Sequence, residues 1–176
     1  MDFPKAIHNL IFYKQFAKVD KPRDFISFEQ SKSIGIIYNA THPQNIEIIK
    51  SFAGKLKAAG KKVESLGYIN LKKAEEIQAE YKDLDFIIKK EVTWYHKPKT
   101  FNSSRFIKNK YDILLNLYIE ECLPLQYMSA FSDAKFRVGH FQKSNLYCND
   151  FHIDLKGDEK VSSLIEQIEH YLNKNQ

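Results

Sequence analysis

Hydrophobic and polar positions follow one another in a strand, helix, strand order, most clearly between residues 110 and 139. Residues 111–117 form a short apolar run, residues 120–131 are long enough for a helix, and residues 134–139 form a second short strand. Two strands joined by a helix form a βαβ unit, whose strands pair in parallel. The pattern therefore predicts an α/β fold.

The rest of the chain repeats this alternation. Further strands are predicted at residues 33–38, 62–68, 84–88 and 151–155. Helices are predicted at residues 44–59, 71–81 and 103–109, and a terminal helix from residue 157. This order favours a doubly wound, mostly parallel sheet of five or six strands, a Rossmann-like architecture with right-handed crossovers.

Ligands of such sheets bind beyond the carboxyl ends of the strands, where the strand order reverses. If the order is 3-2-1-4-5-6, the reversal lies between the first and fourth strands. A ligand crevice is predicted there, lined by Asn39, Thr41, His42, Asn116, Tyr118 and Glu120.

Residues 1–32 are predicted to form an N-terminal helical arm, because their apolar side chains recur every three or four positions. Residues 33–176 are predicted to form a single α/β domain, a length typical of one domain. The start of the chain has no signal-peptide pattern, and no segment has the roughly 20 apolar residues of a membrane span. With two cysteines and no disulfide framework, a cytoplasmic protein without a membrane partner is expected.

Charge is concentrated in one part of the chain. The formal net charge is +5, and residues 89–110 alone carry seven Lys and Arg side chains against one acid, Glu91. Aromatic residues are interleaved with these cations: Trp94, Tyr95, Phe101, Phe106 and Tyr111. We name residues 89–111 the basic aromatic segment.

The basic aromatic segment predicts contact with RNA or with an assembly that contains RNA, such as the ribosome. Trp94 or Tyr95 would stack on bases, and four cations would contact phosphates: Lys97, Lys99, Arg105 and Lys108. Two other interpretations remain open. The rings could pack inward above a solvated lysine face, or they could anchor a protein partner or a second copy of the chain.

Catalytic candidates are few. His42 could form an acid/base pair with Glu120 or Glu121, although a turn histidine beside a solvated helix start is the simpler interpretation. Cys122, near a helix start, could be an activated thiol or a small buried side chain. The set of His140, Cys148, Asp150 and His152 fits no standard metal spacing, so no metal and no cofactor are predicted.

The segment from Tyr111 to Gly139, with Lys97-Pro98-Lys99, resembles a family of small uncharacterised bacterial proteins with no established activity. The strand at residues 111–117 and the strand Ala134-Lys135-Phe136-Arg137-Val138-Gly139 also resemble, more distantly, the acceptor-side domain of heptosyltransferase-like glycosyltransferases. That second resemblance implies a shared scaffold and, at most, an enzyme or enzyme remnant that binds a sugar or phosphorylated small molecule in the crevice. The main prediction is a non-catalytic binding module.

Overall fold

The computed structural model describes residues 12, 14, 16 and 23–173. The elements follow in the order β1 (Ser33–Asn39), α1 (Pro43–Ala58), β2 (Lys62–Ile69), α2 (Ala74–Glu80), β3 (Asp85–Ile88), α3 (Phe101–Lys108), β4 (Ile113–Leu117), α4 (Leu123–Ala130), β5 (Phe136–His140), β6 (Phe151–Ile153) and α5 (Val161–Asn173). None of the helices described is long and apolar enough to cross a membrane.

The six strands form one sheet in the order β3-β2-β1-β4-β5-β6, and every pair is parallel. The predicted doubly wound α/β fold and its strand order are confirmed. In the centre of the sheet, Ile36 of β1 pairs with Ser65 on one side and Leu115 on the other. The residues of β4 are all buried, because helices cover both faces of the sheet.

Successive strand residues point to opposite faces and supply two separate cores. Ile34 and Ile36 pack with the apolar sides of α1, α2 and α5 on one face. Ile37 and Leu114 pack with α3 and α4 on the other face. The second face is the one that carries the basic aromatic segment.

The connection from β5 to β6 contains no helix and is held by an ion pair between a buried arginine, Arg137, and a partly buried carboxylate, Asp150. Nε and Nη2 of Arg137 donate to the carboxylate of Asp150 at 3.1 and 2.8 Å, and Nη1 donates to the carbonyls of Ser129 and Tyr147. Gly139 leaves room for this connection, because a Cβ there would lie 2.7 Å from Oδ1 of Asn149. Polar contacts thus replace the apolar face of a crossover helix.

Several predicted boundaries shift. The helix predicted at residues 120–131 begins at Leu123, and the terminal helix begins at Val161, because Gly157 lies in a turn with a φ of 95°. The predicted arm, residues 1–32, lies mostly outside the described residues. Of its described part, Phe12 is 2% exposed; its ring meets Tyr127 and Phe131, at the end of α4, edge to face, and it packs at a tilt on Tyr147 of the β5–β6 connection.

Replacing Asp150 with Ala is expected to lower the free energy of unfolding by about 3–5 kcal/mol, because it leaves the Arg137 guanidinium buried without its counter-ion. Guanidinium chloride titration followed by circular dichroism measures the change. Lys55→Ala, which removes the exposed Lys55–Glu169 pair, is the control and should cost less than about 1 kcal/mol. A similarly small loss for Asp150→Ala would contradict the role assigned to the pair.

Candidate functional site

The basic aromatic segment opens with a tight hairpin between β3 and α3. Val92 and Pro98 form an antiparallel bridge across it. The amide of Thr93 donates to the carbonyl of Lys97 at 2.9 Å. These bonds place Trp94, Tyr95 and His96 at the hairpin tip.

The tip is fixed in an uncommon backbone conformation. His96 has a φ of 66°, in the left-handed region that residues with a side chain rarely adopt. Its amide donates to the carbonyl of Thr93, and the amide of Lys97 donates to Oγ1 of Thr93, both at 2.9 Å. Such strain persists where surrounding bonds enforce it, and it is concentrated at functional sites.

Two aromatic side chains of the segment face solvent. Phe101 is 79% exposed and Trp94 is 62% exposed, more than any other large apolar side chain among the described residues. Tyr95 is half-buried and meets Trp94 edge to face, with ring centroids 5.3 Å apart. Trp94 and Phe101 are thus the most solvent-accessible aromatic rings that this surface offers to a partner.

The other two rings of the segment belong to the core. Phe106 and Tyr111 are buried, with their centroids 4.9 Å apart. Tyr111 packs on Gly35, where a Cβ would lie 2.7 Å from its ring, and its hydroxyl donates to Glu64 at 2.8 Å. Burial raises the pKa of Tyr111. The inward-packing interpretation therefore holds for these two rings and not for Trp94 and Phe101.

Helix α3 presents an exposed ridge next to the hairpin. Phe101, Arg105 and Lys108 follow at spacings of four and three, so they share one helix face. Arg105 lies 3.7 Å from Asp85, whereas Lys108 makes no ion pair within the described part of the chain. The same is true of Lys97 and Lys99 on the hairpin, of which Lys99 is exposed and Lys97 half-buried.

A cavity of about 500 Å³ opens beside the hairpin, on the face of the sheet that α3 and α4 cover. We name it the hairpin groove. Its walls come from the ends of β2 and β3, the hairpin and the start of α4: Tyr68, Asn70, Lys89, Val92, Thr93, Trp94, His96, Glu121, Cys122, Leu123 and Pro124. Of these residues, the sequence patterns indicated only Trp94 as a binding residue.

A second cavity, of about 340 Å³, lies at the predicted switch point and is called here the switch-point crevice. It includes four of the six predicted residues, Asn39, His42, Tyr118 and Glu120. Thr41 and Asn116 are elsewhere. The hydroxyl of Thr41 accepts a hydrogen bond from the backbone amide of Asn70. The side chain of Asn116 is buried, and its Nδ2 donates to the hydroxyl of Ser129, the backbone carbonyl of Cys148 and Oδ1 of Asn149.

The predicted acid/base pair is only partly assembled. Glu120 lines the switch-point crevice with His42, but Glu121 lines the hairpin groove on the other side of the sheet. His42 is exposed at the start of α1, and no described residue hydrogen-bonds its side chain. A general base needs an orienting partner, and this imidazole has none among the described residues.

Neither cysteine is an activated thiol. Cys122 caps the start of α4 but is only 8% exposed, and burial together with the charge of Glu120 raises its pKa to about 12. Cys148 is fully buried, and burial raises its pKa as well. Within the described residues, no group of three His, Cys, Asp or Glu side chains could hold a metal ion.

Tyr68 and Asn70 lie outside every site that the sequence indicated, whereas Lys89 belongs to the basic aromatic segment. Tyr68 lies at the end of β2 and Asn70 directly after it, on the far side of β1 from the predicted switch point. The one feature of the sequence that could have indicated them is their place at the carboxyl end of a predicted parallel strand, where ligands of such sheets bind.

The chain matches the model of a known protein family. The model of a family of unknown function (DUF6913) matches residues 5–174, which is nearly the whole chain. Neither curated proteins nor solved structures gave a significant match.

Both thiols are expected to resist alkylation by iodoacetamide in the folded protein at pH 8, because burial keeps them protonated and covered. Mass spectrometry should find no modified cysteine before unfolding and two modified cysteines in guanidinium chloride. Rapid modification of Cys122 in the folded protein would mean that the start of α4 is open and its thiol ionised.

Proposed function

Since the chain belongs to DUF6913, a family of unknown function, we propose a function from its own surface: a non-catalytic module that binds single-stranded RNA through the hairpin and α3. The observation that carries the proposal is the exposure of Trp94 and Phe101 near four cations, of which Lys97, Lys99 and Lys108 make no ion pair with a described residue. Rings of this kind stack on unpaired bases, and the cations neutralise phosphates.

The geometry favours a chain-like ligand over a small one on this surface. The hairpin and α3 are consecutive in sequence and both pack on the same face of the sheet, through Val92 of the hairpin and Phe106 of α3. Lys97 and Lys99 follow the first ring, and Arg105 and Lys108 follow the second. Alternating rings and cations suit a strand that presents bases and phosphates in turn.

The charges on this surface are available to a ligand. Glu91, the acid that directly precedes the hairpin, makes no ion pair with a described cation of this surface, and its carboxylate accepts a hydrogen bond from the backbone amide of Ile88 at 3.0 Å. One carboxylate oxygen of Asp85 lies 3.7 Å from Arg105, and the other accepts a hydrogen bond from the side chain of Asn102. Asp85 therefore neutralises only part of the positive charge of Arg105. Exposed pairs of this kind contribute little energy and exchange readily for phosphate.

The switch-point crevice supports a second candidate, binding of a sugar or phosphorylated small molecule, in line with the glycosyltransferase-like resemblance. The specific observation in its favour is an open cavity between the starts of α1 and α5, with Lys160 on its wall. Lys160 is already 3.1 Å from Asp158, and His42 is unoriented, so the crevice offers a site for binding rather than for catalysis. Self-association through the Trp94 surface stays a prediction.

Replacing Lys97, Lys99, Arg105 and Lys108 together with Ala is expected to weaken RNA binding and to reduce the slope of log K against log salt by up to about 3. Fluorescence anisotropy of a labelled single-stranded RNA at several KCl concentrations measures both. The control replaces four exposed cations elsewhere that make no ion pair in the described structure: Lys57, Lys62, Lys82 and Lys143. If both variants weaken RNA binding equally, the loss reflects net charge alone, and the proposal is contradicted.

Phe101→Ala is expected to weaken RNA binding by about 1–3 kcal/mol, the usual value of one stacked base, without changing the salt slope. Its exposed ring supports no core contact, so folding should be unaffected, which circular dichroism checks. Phe141→Ala, which removes another exposed ring at the opposite edge of the sheet, is the matched control. Binding that is unaltered by Phe101→Ala would remove α3 from the interface.

A further inference from the structure

The hairpin groove has the dimensions and walls of a site for a small planar group. Its volume of about 500 Å³ lies within the 300–1,000 Å³ that ligand pockets commonly have. It lies at the carboxyl edge of a parallel sheet, where the ends of β2 and β3 meet the start of α4. Ligands of open α/β sheets occupy this edge.

One wall of the groove is a held aromatic ring. Trp94 lines the groove while remaining 62% exposed, and Tyr95 supports it edge to face. Two backbone hydrogen bonds of Thr93, one to Lys97 and one to His96, hold the strained turn that carries the indole of Trp94. A ring held this way loses little further freedom when it stacks on a ligand, which favours binding.

The floor of the groove contains an unused polar group. Tyr68 is 7% exposed and lines the groove, and its hydroxyl has no hydrogen-bond partner among the described residues. Asn70, two residues later, is exposed at the rim, and its side-chain amide is also without a partner in the described structure. A hydroxyl and a side-chain amide that bond to no described residue are available to donate to and accept from the polar edge of a ligand.

The charges around the groove are divided. Lys89 is exposed on its wall and makes no ion pair with a described residue, and α4, eight residues long, begins there with the positive end of its dipole. Glu121 lines the groove as well, so an anionic group would lie toward Lys89 and away from Glu121. A planar ring with a polar edge and an attached anion matches all of these features.

We propose that the hairpin groove holds one unpaired nucleotide. Its base stacks on Trp94 and bonds with its polar edge to Tyr68 and Asn70, and its phosphate lies beside Lys89. This inference rests on the proposed function, because the nucleotide would be one unstacked residue of the bound RNA. The groove also adds what a flat surface lacks, contact with the base edges by which one base is distinguished from another.

Trp94 allows a direct test, because it is the only tryptophan of the chain. Its fluorescence, excited at wavelengths where nucleotides do not absorb, is followed while the full-length protein is titrated with AMP, UMP, adenosine or inorganic phosphate. The nucleotides are expected to quench it saturably, and inorganic phosphate is expected not to. Lys89→Ala should weaken AMP binding but leave adenosine unaffected.

Tyr68→Phe removes only the hydroxyl and is expected to raise the dissociation constant for AMP about three- to tenfold. Tyr38→Phe is the matched control, since it removes a partnerless buried hydroxyl from β1 on the other face of the sheet. Asn70→Ala, at an exposed position, gives a second variant whose folding is not in question and should weaken AMP binding in the same range.

The outcomes separate the groove from the surface around it. RNA binding without saturable quenching by any nucleotide, or nucleotide binding that is unchanged by both Tyr68→Phe and Asn70→Ala, would overturn the groove proposal and leave the proposed function standing. Failure of RNA to bind at low salt would overturn the proposed function instead. Quenching that the two groove variants weaken and Tyr38→Phe does not would support the proposal.

Discussion

The site depends on one topological constraint, the reversal of strand order at β1. Strands β1, β2 and β3 are added outward in one direction, and β4 must then pair with β1 on its other side. The chain therefore leaves β3 at the edge of the sheet and crosses the whole opposite face before it enters β4. Crossovers of this kind are right-handed, so the direction of that path is fixed. The basic aromatic segment is this crossing.

The constraint explains how the segment divides its aromatic residues. A crossover has to cover the sheet, and Phe106 and Tyr111 supply that cover by packing on Ile37 and Leu114. The rest of the segment is longer than the crossing requires, and it forms the hairpin and the exposed ridge of α3. The segment is thus divided between two environments. Phe106 and Tyr111, in its second half, close the core, whereas Trp94 and Phe101, in its first half, are exposed to solvent.

A polar network performs the corresponding task at the other edge of the sheet. Between β5 and β6 the chain has only ten residues, and they form no helix. Arg137, Asp150 and Asn116 bond the connection to α4 and to the sheet instead. The guanidinium of Arg137, the carboxylate of Asp150 and the Nδ2 of Asn116 all have partners within hydrogen-bond distance, which is the condition under which buried charges and amide donors are tolerated. The network also uses Asn116, which explains why this residue is not in the crevice.

The sequence was sufficient for the fold because the periodic apolar runs at β1, β2 and β4 admit one simple arrangement. It placed His42 and Glu120 in one crevice correctly, since both follow strands that flank the order reversal. It could not separate Glu120 from Glu121, because both lie in the loop between β4 and α4, and the path of that loop decides which cavity each side chain lines. Tyr68 and Asn70 were missed because their relation to Trp94 depends on the fold of the hairpin, which no local pattern encodes.

The central claim is that the hairpin and α3 form an RNA-binding face. The most direct test is ultraviolet crosslinking of the purified protein to single-stranded RNA, followed by mass spectrometry of the crosslinked peptides. The account predicts crosslinks within residues 91–108, with Trp94 and Phe101 among the modified positions. Crosslinks confined to the α1 and α5 face, or none above a heat-denatured control, would contradict it.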